Sequence, residues 1–250
     1  MDMMYGRPMQ LTTRTVGSGS RTAALVHGAS MSGDAWREFI PFLLEHDLTL
    51  TVVDLRGHGD SPRADSYRIQ DFVDDLVDTL PQGLDLLIGQ SLGGLAGAWA
   101  SAQLKPKRFI GIDPAFGIDR AQLFLLGLLG PIQPKLPDFV LHRFGMPPKG
   151  SPPDMMERIH AMWAKWDTAS VRDIKNSARA HPFPAAPPSV PSTIVLADPS
   201  MATPPKFAAA LREAGWDVRV IPGGGHDLHQ EDPAGLAEVL RDVLEPQPTA

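Results

Sequence analysis

The feature that most constrains this chain is the sequence Gly-Gln-Ser-Leu-Gly at residues 89–93, which lies between two segments of different character. The apolar run 84–88 before it predicts a buried strand, and the small-residue run 92–104 after it predicts a helix. A serine at such a junction must lie in a tight turn, and glycines two positions before and after it relieve the crowding. The turn presents the hydroxyl at a helix N-terminus, whose dipole favours an anion. The pattern predicts that Ser91 is a nucleophile, the alternative being a serine that only caps the helix.

The alternation of strand and helix patterns continues along the chain. Strand-like runs lie at 22–26, 48–53, 84–88, 109–112, 192–197 and 216–221. Helical patterns lie at 36–44, 69–80, 92–104, 205–214 and 233–244. Apolar strands separated by helices predict an α/β fold, with a mostly parallel sheet covered on both faces by helices. A chain of 250 residues is long enough for one such domain and needs no second one.

The alternation breaks at residues 115–189, which we call the cap segment. Apolar helical patterns there are separated by proline-rich loops, and proline disfavours regular sheet. We expect a helical cap or lid inserted into a core domain formed by residues 1–114 and 190–250. The alternative is a structural excursion that packs on the edge of the sheet.

Composition excludes several classes of function. The formal net charge is -6 and the pI is about 5.7, so a phosphate-neutralising surface for nucleic acid is not expected. The absence of cysteine excludes disulfides, thiolate metal sites and a cysteine nucleophile. No metal-ligand spacing and no dinucleotide-binding motif is present, so we expect no metal and no cofactor. Because neither a signal peptide nor a membrane span is visible, we expect a cytoplasmic protein; the sequence leaves its oligomeric state open.

A serine hydroxyl is a weak nucleophile until a base accepts its proton. Of the eight histidines, His226 has the best setting, since it follows three glycines just after the predicted strand 216–221. A flexible turn there would bring the imidazole over the carboxyl edge of the sheet. The neighbouring His229 is the alternative base.

Four motifs, separated along the chain, resemble those of the α/β-hydrolase family. They are His-Gly at 27–28, the run DLRGHGDS at 54–61, the turn around Ser91, and GGGHDLHQEDP at 223–233. They occur in the family's order, and the resemblance extends over residues 22–244 outside the cap segment. The resemblance implies an α/β-hydrolase fold and a catalytic triad in the chain order serine, acid, histidine.

The acid is where the sequence departs from the family pattern. Ala197 stands where the family often has glycine, and Ser200 stands in the usual place of the acid. We nevertheless favour Asp198, because it ends a predicted strand at the catalytic edge and no other acidic residue follows until Glu213. Asp113, which ends the preceding predicted strand, is the runner-up, and the absence of any acid is a third possibility.

The resemblance also implies an oxyanion hole made by two backbone N–H groups. They belong to Leu92, just after the nucleophile, and to Ala29, just after the His-Gly pair. By the same resemblance, His27 and the run 54–61 are expected to brace the surrounding loops.

The substrate pocket is the least constrained feature. Met31 and Trp36 follow residues 27–29, which we call the oxyanion loop, and Trp163 and Trp166 lie in the cap segment. Such residues would line an apolar pocket, or would only pack against neighbouring helices.

The resemblance implies a serine hydrolase that cleaves a carboxylic ester or lactone through an acyl-enzyme on Ser91. A small, mainly apolar molecule is the expected substrate. Several other activities use the same triad and stay open: thioesterase, carbon-carbon bond hydrolase, aminopeptidase and cofactor-free haloperoxidase. A non-catalytic receptor for a small ligand is the alternative from another class.

Overall fold

A computed structural model describes residues 8–118, 120–143, 146–147, 151–200 and 202–245. Within them the chain forms a seven-stranded sheet of order β1-β3-β2-β4-β5-β6-β7. The strands are β1 Thr13–Val16, β2 Arg21–Val26, β3 Leu48–Val53, β4 Leu86–Gln90, β5 Arg108–Ile112, β6 Ser192–Leu196 and β7 Asp217–Val220. All neighbouring pairs are parallel except β1 with β3, which is antiparallel. The carboxyl ends of the six parallel strands therefore meet at one edge.

Helices cover both faces of this sheet. The α-helices are α1 Ile40–Leu44, α2 Ile69–Thr79, α3 Ser91–Leu104, α4 Arg120–Leu129, α5 Asp138–Arg143, α6 Met155–Ala164, α7 Ser170–Ala180, α8 Pro205–Glu213, α9 Leu228–Glu231 and α10 Pro233–Leu244. Buried side chains of α2, α3 and α8 form an apolar cluster on one face, and those of α1 and α10 form another on the opposite face. The predicted α/β fold class is thereby confirmed. Among the described residues no helix is both long and apolar enough to cross a membrane.

Two local features differ from the sequence prediction. The edge strand β1 was not predicted, because its sequence Thr-Arg-Thr-Val is largely exposed and lacks an apolar run. The predicted helix at 36–44 is divided into a short 3-10 helix, Gly33–Trp36, and the helix α1. The 3-10 helix begins with Ser32 as its N-cap, whose side chain accepts a hydrogen bond from the backbone N–H of Asp34.

The cap segment contributes helices α4 to α7 between strands β5 and β6. It has an apolar cluster of its own, which includes Met155, Ile159, Met162, Trp163 and Trp166. Near its two ends, the rings of Phe116 and Phe183 stack with centroids 3.9 Å apart. Both rings belong to the apolar cluster of the sheet, so they anchor the two ends of the segment to the core.

Candidate active site

Ser91 lies at the junction of β4 and α3, in the left-handed region of backbone conformation, with φ of 49°. A residue with a side chain adopts this conformation only where its surroundings impose it. Gly93 shows one such constraint, because a Cβ atom there would lie 2.3 Å from the carbonyl oxygen of Val26. A Cβ atom on Gly89 would lie 2.4 Å from the carbonyl oxygen of Gly93. The two glycines of the motif thus let α3 begin directly against the sheet, with the serine at the turn.

His226 is paired with Asp113 at the same edge of the sheet. The distance between His226 Nδ1 and Asp113 Oδ2 is 2.6 Å. Asp113 is fully buried at the end of β5, and its second oxygen accepts a hydrogen bond from the backbone N–H of Ala197 at 3.2 Å. The side chain of His226 is 43% exposed, so the imidazole extends from a buried carboxylate towards solvent.

The preference for Asp198 as the partner of the histidine is corrected by this geometry. Asp198 is exposed, and among the described hydrogen bonds its carboxylate accepts none. Both aspartates follow adjacent parallel strands, so both lie near the carboxyl edge and the sequence alone could not separate them. Asp113 has a φ of 38°. Its backbone N–H donates to Val195 O at 2.8 Å, which fixes this turn beside β6.

The protonation of His226 follows from its neighbours. Desolvation lowers the pKa of His226, but the hydrogen bond with Asp113 and the charge of Asp227 outweigh it, so that the pKa is raised overall. With Nδ1–H donated to the carboxylate, Nε2 of the neutral ring carries the free lone pair. Among the described residues no hydrogen bond joins Nε2 to any group, Ser91 Oγ included.

Gln90 joins the serine turn to the histidine loop, a role that the sequence did not reveal. Its Nε2 donates to the carbonyl oxygen of His226 at 3.2 Å and to Asp227 Oδ1 at 3.1 Å. The side chain is 1% exposed although it is polar. The only signal in the sequence is an amide side chain immediately before Ser91, and a single sequence does not show whether that amide is buried or exposed.

The oxyanion loop packs directly against the serine turn. A Cβ atom on Gly28 would lie 2.1 Å from Gln90 Oε1 and 3.2 Å from Ser91 Cβ. The next residue is Ala29, and the residue after the serine is Leu92. None of the described backbone hydrogen bonds outside the helices and strands has either N–H group as its donor.

His27 has the bracing position that the resemblance implies. Its Nδ1 lies 2.7 Å from the carbonyl oxygen of Gly28, and its Nε2 accepts from the backbone N–H of Leu55 at 3.0 Å. Burial lowers the pKa of His27 to about 4, so the ring is neutral and donates through Nδ1–H. Asp54 adds a second brace, because its Oδ1 accepts from the backbone N–H of Gly33 at 2.7 Å.

His229, the alternative base, lies in the interior. It is fully buried, and its ring packs against Trp36 with centroids 4.6 Å apart. Burial lowers the pKa of His229 to about 3. No described hydrogen bond reaches either nitrogen of this ring, whereas the ring of His226 is paired with Asp113.

The aromatic residues considered for the substrate pocket are mainly packing residues. Trp36 is fully buried in the cluster between the sheet and α10. Trp163 and Trp166 are each 5% exposed and belong to the cluster of the cap segment. Met31 is only partly buried, and its Sδ accepts a hydrogen bond from Gln230 Nε2 at 3.3 Å. The three tryptophans therefore pack in apolar clusters, and of the four residues only Met31 is more than 5% exposed.

The sequence was also compared with those of known protein families. The sequence profile described as "Alpha/beta hydrolase family" matches residues 24–239. The chain belongs to the alpha/beta hydrolase family. The match includes every residue of the candidate site and runs across the cap segment.

Two relatives of this hydrolase are named pimeloyl-[acyl-carrier protein] methyl ester esterase. That of Methylococcus capsulatus is 25% identical over 215 residues, which cover 86% of this chain and 80% of the relative. That of Sodalis glossinidius is 32% identical over 87 residues, 35% of this chain and 33% of the relative. The match to the Sodalis protein thus spans about a third of that protein's length.

Among solved structures, an esterase from Exiguobacterium antarcticum has the same fold. It superposes with a TM-score of 0.76 at 17% identity, covering 94% of this chain and 95% of that chain. The predicted family and the predicted α/β-hydrolase fold are confirmed. Within the described residues no group of three or more histidine, aspartate or glutamate side chains could hold a metal ion.

Proposed function

We propose that this alpha/beta hydrolase cleaves carboxylic esters through an acyl-enzyme on Ser91, with His226 as general base and Asp113 as the acid that orients it. The observation that carries the proposal is the hydrogen bond of 2.6 Å between His226 Nδ1 and Asp113 Oδ2. Gln90 ties the loop of this histidine to the turn that holds the serine. These two contacts support a triad at the carboxyl edge of the sheet.

In the first half of the reaction Ser91 Oγ attacks the ester carbonyl carbon while its proton passes to His226 Nε2. The tetrahedral intermediate collapses, the carbon-oxygen bond of the ester breaks, and the alcohol leaves with the proton from Nε2. In the second half water attacks the acyl-enzyme with the same base. The carboxylate of Asp113 stabilises the imidazolium that forms twice in this cycle.

The negative oxygen of each intermediate would be bound by the N–H groups of Ala29 and Leu92. The N–H of Leu92 is at the first turn of α3, where the helix dipole adds to the hydrogen bond. Removing one such donor in other serine hydrolases costs about 10²- to 10³-fold in kcat. The hole is built from backbone atoms, so it does not select among substrates.

Methyl esters of acyl chains are the substrate class to test first, since two relatives are named for the cleavage of a methyl ester. A small, mainly apolar acyl group stays our prediction for the part of the substrate beneath the cap segment. Lactones are the second class, because ring opening follows the same two steps without loss of a separate alcohol.

The test is a panel of p-nitrophenyl esters of increasing chain length, acyl methyl esters, lactones and acyl thioesters. We expect turnover of oxygen esters and a single fluorophosphonate adduct on Ser91, both abolished in Ser91→Ala. Preference for thioesters would replace the ester assignment, whereas absence of both turnover and adduct in the folded protein would favour a ligand receptor.

A further inference from the structure

Helix α6 of the cap segment contacts residues 34 and 38, which follow the oxyanion loop. On α6, Arg158 donates from Nη1 to Glu38 Oε1 at 2.5 Å and from Nη2 to Glu38 Oε2 at 3.0 Å. The two side chains are 13% and 15% exposed, which distinguishes them from an ordinary surface ion pair. A two-point pair between a planar guanidinium and a carboxylate fixes orientation as well as distance.

The same guanidinium also reaches the 3-10 helix Gly33–Trp36. Its Nη2 donates to the carbonyl oxygen of Asp34 at 3.2 Å. Next to that carbonyl, Ala35 is fully buried in the apolar cluster of the cap segment, and Met31 packs against this cluster. The cap segment thus makes a polar contact with Asp34 and apolar contacts with Met31 and Ala35, all of which follow Ala29.

The core holds the other side of this short helix. The backbone N–H of Gly33 donates to Asp54 Oδ1 at 2.7 Å, and the carbonyl oxygen of Gly33 accepts from Arg14 Nη2 at 3.0 Å. Gly33, at the start of this helix, is therefore held by the core, and the carbonyl group of Asp34, the next residue, is held by Arg158. Ala29 lies four residues before Gly33, in the loop that leads into this doubly held helix.

We propose that Arg158 is a positioning residue that makes the oxyanion donor at Ala29 depend on docking of the cap segment. The inference rests on the proposed function. An oxyanion donor acts over hydrogen-bond distance, and its misplacement weakens binding of the transition state more than binding of the substrate. Loss of the Arg158 contacts would therefore lower kcat and leave KM nearly unchanged.

The test compares Arg158→Met with Lys165→Met. Lys165 is also in the cap segment, and its Nζ pairs with Asp60 Oδ1 at 2.7 Å, but both side chains are more than half exposed, and no described hydrogen bond joins either residue to residues 28–38. The measurements are kcat and KM for the best p-nitrophenyl ester, and inhibition by a trifluoromethyl ketone. That inhibitor adds Ser91 Oγ to its carbonyl carbon and leaves a negative oxygen in the oxyanion hole.

For Arg158→Met we expect kcat and trifluoromethyl ketone affinity to fall together by about tenfold, with KM within about twofold. Lys165→Met should leave all three values within about twofold of the wild type. Glu38→Gln, which keeps a neutral hydrogen bond, should show the same pattern with a smaller loss. It serves as the deciding variant if Arg158→Met does not fold.

Different failures have different meanings. If the wild type turns over esters but the Arg158 or Glu38 variant folds with unchanged kcat, or with a raised KM alone, the inference is overturned and the proposed function stands. A wild type with neither turnover nor a Ser91 adduct overturns the proposed function and the inference with it.

Discussion

Nδ1 of His226 lies 2.6 Å from Oδ2 of Asp113, although 112 residues separate the two in the chain. The carboxylate is fully buried and the imidazole is partly exposed. This is the arrangement in which a carboxylate fixes the tautomer of a histidine and leaves Nε2 free to accept a proton.

The first prediction separates the two candidate acids. Asp113→Asn should lower kcat by about 10³- to 10⁴-fold, because the amide no longer holds the histidine in the required tautomer. Asp198→Asn should stay within about twofold of the wild type, since the exposed carboxylate accepts no described hydrogen bond. Both variants are measured with the same ester, after circular dichroism has shown that they are folded. A large loss in the Asp198 variant alone would contradict the assignment.

A second prediction concerns the pH profile. The raised pKa of His226 means that the base is protonated, and inactive, over a wider acid range than a free imidazole. The acid limb of kcat/KM should therefore have its midpoint above 6.5 in the wild type. In Asp113→Asn the residual activity should show an acid limb moved to lower pH, because the raising hydrogen bond is lost. An acid limb that moves to higher pH would count against this account.

Gln90 gives a third prediction. Gln90→Leu removes the donor to His226 O and Asp227 Oδ1, so the histidine loop loses its link to the serine turn. We expect kcat to fall by about tenfold from misplacement of the base, with little change in KM. Gln70→Leu is the matched control, because that exposed amide donates to Asp74 Oδ1 and, among the described hydrogen bonds, to no residue of the candidate site. Equal effects of the two substitutions on kcat would show that Gln90 has no positioning role.

The fourth prediction is a loss of stability below neutral pH. Burial lowers the pKa values of His27, His58 and His229 to about 4, 3 and 3, from 6.5. Below pH 6.5 the unfolded chain binds protons at these residues while the folded protein does not, so the free energy of unfolding falls as the pH falls. Each histidine contributes a slope of up to about 1.4 kcal/mol per pH unit. The raised pKa of His226 stabilises the folded protein at low pH, so its effect has the opposite sign. That stabilisation is already present below pH 6.5 and adds little to the slope there.

Urea denaturation followed by circular dichroism between pH 6.5 and 4.5 measures this slope. His229→Leu should reduce the slope by up to about 1.4 kcal/mol per pH unit, because one buried neutral histidine is removed. Leucine has a similar volume, and the described structure gives His229 no hydrogen bond to lose. An unchanged slope in the variant would show that His229 is not held neutral.

Much of the fold could be predicted from the sequence because its signals are local. The parallel strands are apolar runs, and the turn at Ser91 is specified by glycines whose replacement would bring a Cβ atom against the backbone. The polar edge strand β1 gave no such signal, since it is stabilised by pairing with β3 and not by burial of its own side chains.

By itself the sequence determined the α/β fold, the serine turn and the histidine loop, because glycine spacing and apolar periodicity act within a few residues of the chain. The tertiary structure alone decided the partner of His226. Asp113 and Asp198 end neighbouring parallel strands, and the choice depends on which carboxylate the backbone turns towards the imidazole. It also decided that three tryptophans pack in cores, because burial is a property of the assembled layers and not of the residues that form them.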